Sequence, residues 1–348
     1  MSELVLIASD VYRAASDIPH PVRGAPLPSL SRIARYGTVE PLPEGWRAWL
    51  TGWLGREDLA SAGPASIADA ASLAIAQAPE ETAQPFLWLA DPLNLIAGST
   101  SVHLAASGVL ALDAGTQRAL TSAFDAVFSE SGYRLEPLRG GRFLARGPAP
   151  AGEVETTESA RIVGTSLVDA LPRGSGASAL RALGAEIEMW LHEHPLNVQR
   201  VRENRPPITT LWLWGGGPPL GNAARTALAD SPSAAVFGDD AFMEGLARLC
   251  GVRFAAAPKA LPLLATGGVS RRIVAFELLR TERSSAEIDP LAALERFERD
   301  WVAPALEQLR GGELARLTIL ANDRRLSIGS RDRFRLWRRP RAALAVLR

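Results

Sequence analysis

Short apolar runs alternate with amphipathic stretches along the chain. An apolar run of about four to eight residues between turn residues is typical of a buried strand, and apolar residues three and four apart are typical of a packed helix. Strands are predicted at 4–8, 86–90, 102–112, 162–167, 209–214, 234–237, 273–279 and 314–320. Helices are predicted at 44–54, 65–78, 115–131, 179–194 and 290–309, and a hairpin at 133–146. The alternation predicts an α/β fold with an open, mostly parallel sheet and flanking helices.

The segment 147–160 interrupts this alternation. It is rich in Pro, Gly, Glu and Thr and has no hydrophobic periodicity, which is typical of a linker. A chain of 348 residues also suits about two domains of about 150 residues each. We therefore predict an N-terminal α/β region at 1–150 and a C-terminal region at 160–348.

The overall charge gives no reason to expect a polyanionic partner. Lys plus Arg and Asp plus Glu both number 38, so no net field draws the chain toward nucleic acid or an anionic membrane. The stretch from Arg324 to Arg348 is an exception, because it holds nine arginines and one acid. A nucleic-acid contact through this basic stretch stays open as a minor interpretation.

The single cysteine and the apolar runs bear on the compartment. Cys250 can form neither an intramolecular disulfide nor a cysteine-based zinc site, and its apolar neighbours predict a buried thiol. The first residues carry an acid where a signal peptide needs basic residues, and no run approaches the roughly 18 apolar residues of a membrane helix. We expect a cytoplasmic protein with no membrane partner.

Two histidines lie in the chemically densest part of the chain. His192 and His194 are two residues apart, so on a helix they would diverge by about 200° and could not share a metal ion. His194 falls on the apolar stripe of Ile187, Trp190 and Leu191. We predict that His194 is a buried, structural histidine rather than a ligand or a base.

A strand that opens into three glycines follows. The N–H groups of Gly215, Gly216 and Gly217 could hold an anion, with Arg200 supplying charge and Asn197 orienting it or donating beside it. The alternative is a tight turn in which the glycines let the backbone pack closely. The sequence leaves both interpretations open.

The same stretch carries a family resemblance. The patterns E-x-x-M-x-L-H-x-H-P-x-N-x-x-R at 186–200 and L-W-L-W-G-G-G at 211–217 resemble the RpfE-type regulatory proteins. Asp91-Pro92-Leu93-Asn94-Leu95, Phe237-Gly238-Asp239-Asp240 and the stretch 331–339 agree with that resemblance. RpfE-type proteins are similar to cofactor-independent phosphoglycerate mutases. The resemblance therefore implies an alkaline-phosphatase-like fold in the C-terminal region.

The resemblance also implies what the chain lacks. The mutases hold two metal ions with Asp and His side chains, placing Asp-Gly after the first strand and Asp-His pairs late in the chain. Here Ser9-Asp10 follows the first strand, Asn322-Asp323-Arg324 follows the late one, and no histidine lies beyond His194. We therefore expect no metal and no other cofactor. Asp10, Asp91 and Asp323 remain candidate functional carboxylates, although Asp91 before Pro92 also suits a turn.

Two functions from different classes follow. The first is a non-catalytic regulatory or ligand-binding protein of the RpfE type, whose ligand is a phosphorylated small molecule. The alternative is a phosphoglycerate mutase or phosphatase with an altered site. Neither the protein partner nor the oligomeric state can be inferred from the sequence.

Metal content separates these two functions. We expect the purified protein to carry no stoichiometric Mn, Zn or Mg and to show no mutase activity on 3-phosphoglycerate. The reason is that a two-metal mechanism needs ligands that bridge the transferred phosphate. Elemental analysis together with a mutase assay makes the measurement. About two metals per chain, with turnover restored by Mn, would contradict the expectation.

Overall fold

The computed structural model describes residues 2–10, 27–71, 85–98, 102–163, 166–225, 233–263, 269–278 and 290–332. In these ranges the strands are β1 Glu3–Ala8, β2 Thr38–Pro41, β3 Phe86–Ala97, β4 Val102–Val109, β5 Arg134–Leu138, β6 Arg142–Gly147, β7 Thr210–Gly217, β8 Ala234–Phe237, β9 Arg253–Ala255, β10 Arg271–Phe276, β11 Arg316–Ala321 and β12 Arg324–Gly329. The helices are α1 Pro28–Tyr36, α2 Gly45–Trp53, α3 Pro64–Ala68, α4 Ala114–Phe128, α5 Leu167–Ala170, α6 Ala177–His192, α7 Pro195–Arg202, α8 Asn222–Arg225, α9 Ala241–Leu249, α10 Pro290–Phe297 and α11 Ala303–Gly311.

The larger sheet has seven strands in the order β2-β12-β11-β1-β10-β8-β9. The five strands from β11 to β9 are parallel, whereas β12 and β2 are antiparallel additions at one edge. The central strand β1 is apolar and buried from Leu4 to Ala8, because helices cover both faces of the sheet. This arrangement confirms the predicted α/β fold with a mostly parallel sheet and flanking helices.

Two helical layers cover the larger sheet. On one face, α1, α10 and α11 form a core with Ile33, Phe297 and Leu306 at its centre. On the other face, α2, α3 and α9 contribute Leu50 and Leu246 to a second core. Both layers position loops at the carboxyl ends of the parallel strands, where open α/β folds bind ligands.

The smaller sheet is built around β3, which pairs antiparallel with β4, β6 and β7. Helices α4 and α6 pack on one of its faces through a core that includes Phe124 and Ile187. Helix α3 lies between the two sheets, because its Ile67 joins the core of the larger sheet while its Ala65 and Ala68 pack against the smaller one.

Each sheet takes strands from both sides of the predicted domain boundary. Strands β1 and β2 belong to the larger sheet, and β7 belongs to the smaller one. The division into 1–150 and 160–348 stays a prediction.

The predicted turn at Asp91-Pro92 was wrong. Strand β3 runs through both residues, which pair with Trp212 and Leu211 of β7. Along the opposite edge of β3, strand β6 pairs with it up to Ala90 and strand β4 pairs with it from Leu93. Pro92 therefore falls in the gap between the β3–β6 and β3–β4 hydrogen-bond ladders. A proline is tolerated at such a break because no ladder hydrogen bond from its nitrogen is needed.

The strand predicted at 162–167 was also wrong. A helical turn at Ser159–Arg161 precedes these residues and α5 begins within them, while 164 and 165 lie outside the described residues. Ile162 is buried in the core beneath the smaller sheet, so its apolar character reflects packing rather than strand pairing. A short apolar run cannot distinguish the two cases.

His194 differs in part from its prediction. Helix α6 ends at His192, and His194 is the N-cap of α7, where its Nδ1 accepts a hydrogen bond from the Leu196 N–H at 3.2 Å. Its ring is half-buried and meets Trp190 edge to face. The role is structural as predicted, but the side chain is not fully buried, because Pro195 starts a new helix.

Two further predictions, for Cys250 and for membrane helices, can be compared with the structure. Cys250 is buried as predicted, and burial raises the pKa of its thiol to about 11. Among the described residues, no helix is both long enough and apolar enough to cross a membrane. The basic stretch from 333 onward lies outside the described residues.

Replacing His194 by Ala should lower the free energy of unfolding by about 0.5–1 kcal/mol, because the N-cap acceptor is lost. Burial lowers the pKa of His194 below the ordinary histidine value of 6.5, so the cap is fully present above pH 6.5 and is lost as the pH falls through the folded-state pKa. Urea unfolding at about pH 8 and about pH 5 should therefore show a smaller difference between wild type and H194A at the acid pH. His192→Ala, at an exposed position, is the control. A difference that does not change with pH would contradict this role.

Candidate functional site

A cleft of about 1180 Å³ lies between the carboxyl edge of the larger sheet and the smaller sheet. The larger sheet contributes residues that follow its parallel strands, including Ser9 after β1, Asp240 after β8 and Glu277 after β10. The smaller sheet and its helices contribute the turn at Gly140 and the N-terminus of α4. The cleft is therefore at the edge where a ligand of an open α/β fold is expected.

Charged side chains dominate the polar lining of this cleft. The basic ones are Arg139 and Arg205, and the acidic ones are Asp113, Glu203, Asp239, Asp240 and Glu277. Hydrogen bonds from the backbone and hydroxyl of Thr116 lower the pKa of Asp113 to about 2, so this rim residue is ionised at neutral pH. An anionic ligand would depend on the two arginines.

A buried guanidinium pairs with two of the carboxylates that line this cleft. Arg142, the first residue of β6, donates from Nη1 to Asp240 at 3.1 Å and from Nη2 to Glu277. Its Nε lies 2.9 Å from Asp91 Oδ1 in an ion pair that lacks hydrogen-bond geometry. Burial alone would lower the pKa of Arg142, but the surrounding carboxylates raise it above its ordinary value. Arg142 therefore stays charged and joins the smaller sheet to the ends of β8 and β10.

Two further arginines repeat this pattern nearby. Arg47 on α2 pairs with Glu158 at 2.6 Å and with Asp240 at 3.5 Å, and its guanidinium lies 4.9 Å from the ring of Trp214. Arg161 makes a two-pronged ion pair with Asp323, with Nη1 at 2.6 Å from Oδ2. Bidentate pairing of this kind is the geometry for which arginine is suited.

Each of the three predicted carboxylates has a partner, and two of them, Asp10 and Asp323, follow parallel strands of the larger sheet. Asp91 is fully buried in β3, where its Oδ2 accepts hydrogen bonds from the Ser159 hydroxyl and from Trp214 Nε1, the latter at 2.8 Å. Asp10 accepts the Leu278 N–H at 2.8 Å. Asp323 lies in the two-residue turn between β11 and β12 and pairs with Arg161, as described above.

The predicted anion loop is used for packing. The Gly215 N–H donates to Thr156 Oγ1 at 3.0 Å, and Gly217 pairs with Leu87 of β3. A Cβ on Gly216 would lie 2.1 Å from the ring of Trp88, so no larger residue fits there. The glycines therefore allow β7 to approach its neighbours closely, which is the alternative that the sequence left open.

Asn197 and Arg200 lie elsewhere. Asn197 Nδ2 donates to the carbonyls of Leu191 and Ile208 at 2.8 and 2.7 Å, and the Ile208 N–H donates to Asn197 Oδ1 at 2.8 Å. Both side chains are held at the beginning of β7, whereas the glycines are at its end. Six strand residues at about 3.3 Å each place the two groups roughly 20 Å apart. The structure does not bring the five predicted anion ligands together.

Arg200 is nevertheless unusual. Its Nε donates to the Pro206 carbonyl at 2.9 Å, and its buried Nη1 has no hydrogen-bond partner. Burial, followed by the nearby charge of Arg205, lowers the pKa of Arg200 to about 10. Arg200 is thus a cation with too few partners, and it lies close to the cleft residue Arg205.

The sequence did not identify the arginines that organise the site. Arg142, Arg47 and Arg161 gave no periodic or motif signal, because their shortest ion pairs are with carboxylates that are distant in the chain. The acids that follow strands, such as Asp240 and Glu277, were the available signal, since charges at strand ends of a buried sheet need partners.

The residues present do not fit a two-metal centre. The carboxylates that follow β8, β10 and β11 are engaged by arginines, and the carboxylate after β1 accepts a backbone N–H. Throughout the described ranges, no three His, Cys, Asp or Glu side chains are grouped so as to hold a metal ion.

Comparison with known proteins shows sequence similarity over part of the chain. A scan against protein-family models found no match. The 2,3-bisphosphoglycerate-independent phosphoglycerate mutase of Methanothrix thermoacetophila is 27% identical over 174 residues, which cover 46% of this chain and 44% of that protein. A probable mutase of the same kind from Geobacter sulfurreducens is 38% identical over 56 residues, covering 16% of this chain and 14% of that protein. The matches thus span less than half of the length of these relatives.

Two solved structures are also similar over most of the chain. One is the cofactor-independent phosphoglycerate mutase from Thermoplasma acidophilum, with a TM-score of 0.38, 15% identity and coverage of 95% of this chain and 90% of that one. The other is the PH0037 protein from Pyrococcus horikoshii, with a TM-score of 0.43, 14% identity and coverage of 95% and 89%. The sequence matches support similarity to the cofactor-independent mutases, and the narrower RpfE-type assignment stays a hypothesis.

Replacing Asn197 by Ala should destabilise the fold by about 1–3 kcal/mol, because buried backbone groups of Leu191 and Ile208 would lose their partners. Urea unfolding of the variant measures the loss. Gln199→Ala is the matched control, since this residue is exposed on the same helix. If N197A were as stable as Q199A, a binding role for Asn197 would again have to be considered.

Proposed function

We propose that this chain is a non-catalytic regulatory protein of the RpfE type that binds a small phosphorylated acid in the cleft between its two sheets. The proposal rests on two features of the carboxyl edge of the larger sheet, namely its paired carboxylates and the open cleft beside them. Arg142 and its neighbours engage the strand-end carboxylates, while a cleft of about 1180 Å³ remains open beside them. The carboxyl edge thus has space for a small molecule but lacks free side chains that could coordinate two metal ions.

Arg205 is the cleft residue best suited to an anion. Its ion pairs are long, with Nη2 at 3.5 Å from Asp113 and Nη1 at 3.7 Å from Glu203. A charge-assisted hydrogen bond is typically about 2.7–2.9 Å long. A phosphate or carboxylate ligand could therefore replace Asp113 and Glu203 as the partner of the Arg205 guanidinium. Arg200, which lies close to Arg205, adds a second positive charge to this region.

The chemical class of the ligand rests on the relatives. The matched proteins are named as phosphoglycerate mutases. A phosphorylated three-carbon acid is small enough for a cleft of this size and carries the anionic groups that Arg205 and Arg139 would bind. The enzyme alternative predicts turnover of such an acid, whereas the proposed function predicts binding alone.

Titration with 3-phosphoglycerate, followed by intrinsic tryptophan fluorescence to which the cleft residue Trp46 contributes, tests the proposal. Wild type should show saturable binding and no conversion to 2-phosphoglycerate with or without Mn. Arg205→Ala should weaken binding roughly 10-fold or more, because a hydrogen bond to a charged group is lost. Arg118→Ala, on the exposed side of α4 and outside the cleft lining, should bind like wild type.

Each outcome has a distinct meaning. Equal binding by R205A and R118A would remove the cleft as the anion site. Turnover with Mn would favour the mutase or phosphatase alternative. No binding by wild type to 3-phosphoglycerate, with inorganic phosphate also failing, would contradict the proposed ligand class.

A further inference from the structure

The lining of the cleft is more acidic than basic, with five carboxylates and two arginines. Two of the carboxylates follow β8 and β10 and pair with the buried Arg142. The other three lie beside the two lining arginines, because Asp239 is 3.7 Å from Arg139 and the remaining two carboxylates are next to Arg205. A ligand that carries only negative charge would therefore take these arginines away from carboxylates that stay beside it.

Asp113 and Glu203 share one guanidinium at the α4 end of the cleft. Arg205 Nη2 lies 3.5 Å from Asp113 Oδ2, and its Nη1 lies 3.7 Å from Glu203 Oε2. Thr116 holds the Asp113 carboxylate in place, donating from its N–H at 2.9 Å and from its hydroxyl at 2.8 Å. The Asp113 and Glu203 side chains are 57% and 45% exposed, so a ligand can reach both. A phosphate that pairs with Arg205 thus arrives next to two accessible carboxylates.

A second arginine indicates that an anion belongs at this end of the cleft. Arg200 is 4% exposed, and its Nη1 has no hydrogen-bond partner among the described residues. The charges of Arg205, Asp113 and Glu203 all act on the Arg200 guanidinium, which therefore lies close to them. A buried cation that lacks partners is costly. A negative group bound at Arg205 would stabilise both guanidinium groups.

This end of the cleft thus combines two cations with two accessible carboxylates. We infer that the cleft recognises a phosphorylated amino acid, whose phosphate pairs with Arg205 and whose ammonium group pairs with Asp113 and Glu203. The inference rests on the proposed function and narrows its ligand, because a phosphorylated hydroxy acid lacks the positive group that the carboxylates require. O-phosphoserine and 3-phosphoglycerate are a matched pair of probes, since an ammonium group in the first replaces a hydroxyl group in the second.

Isothermal titration calorimetry of the full-length protein with 3-phosphoglycerate and with each enantiomer of O-phosphoserine tests the inference. The better enantiomer should bind roughly 10-fold more tightly than 3-phosphoglycerate, because a charge-assisted pair is gained at a partly exposed position. Raising the salt concentration should reduce this preference, because exposed charges are screened. Both measurements use the wild-type protein.

Removing the two carboxylate charges should remove the preference. Asp113→Asn keeps the N-cap of α4, because asparagine caps a helix about as well as aspartate does, and Glu203→Gln keeps the shape of its side chain. The double variant should bind O-phosphoserine and 3-phosphoglycerate with equal affinity, and it should bind 3-phosphoglycerate at least as tightly as wild type. Glu193→Gln, at an exposed position outside the cleft lining, is the matched control and should keep the wild-type preference.

The outcomes separate this inference from the proposed function. Equal or tighter binding of 3-phosphoglycerate by wild type would overturn the inference and leave the proposed function standing. A preference for O-phosphoserine that persists in the double variant would also overturn it, because the ammonium group would then be bound elsewhere. If O-phosphoserine, 3-phosphoglycerate and inorganic phosphate all fail to bind, the proposed function fails and the inference fails with it. Thermal unfolding checks that each variant folds, and the wild-type comparison decides the question if the double variant does not.

Discussion

The two sheets of this protein meet across a guanidinium that has been taken out of water. Arg142 begins a strand of the smaller sheet, and two of its three carboxylate partners follow strands of the larger one. An arginine does not lose its proton to escape burial, so burying it is costly unless nearby carboxylates compensate its charge. The relative position of the sheets, and with it the cleft, therefore depends on these contacts being made together.

The same type of contact recurs along the edge. Arg47 joins α2 to Glu158 and to the Asp240 cap, and Arg161 joins the loop after β6 to the turn between β11 and β12. The chain has a single lysine, Lys259, among its 38 basic residues. A planar fork of donors can bridge two carboxylates or clamp one, which an ammonium group does less well. The arginine-rich composition thus has a structural use at this edge.

These contacts also determine which groups at the carboxyl edge are available to a ligand. Carboxylates follow several of the parallel strands. Their negative charge is neutralised by side chains of the protein itself, and the open volume lies to one side of them. A ligand entering the cleft would touch Asp240 and Glu277, which also hold the two sheets together. Binding of such a ligand would therefore be physically linked to the contact between the sheets.

Local sequence pattern identified much of the fold. The apolar runs at 4–8 and 234–237 are strands β1 and β8, and the amphipathic stretch at 179–194 is α6 apart from its last two residues. It also singled out Asp10 and Asp323, which follow β1 and β11 at the carboxyl edge, and Asp91, which is buried within β3. Strand ends of a parallel sheet gather at one edge, so an acid after an apolar run is visible as a candidate without knowing its partner.

The sequence by itself thus determined the class of fold, the buried strands and the acids that follow them. The tertiary structure alone decided which cation each acid meets. Arg142 and Glu277 are 135 residues apart, and only the order of strands in two sheets brings them together. The glycine loop and Arg200 are close in sequence, yet the length of β7 separates them. Periodicity reports the environment of one element, whereas a charge pair between elements depends on the packing of the whole chain.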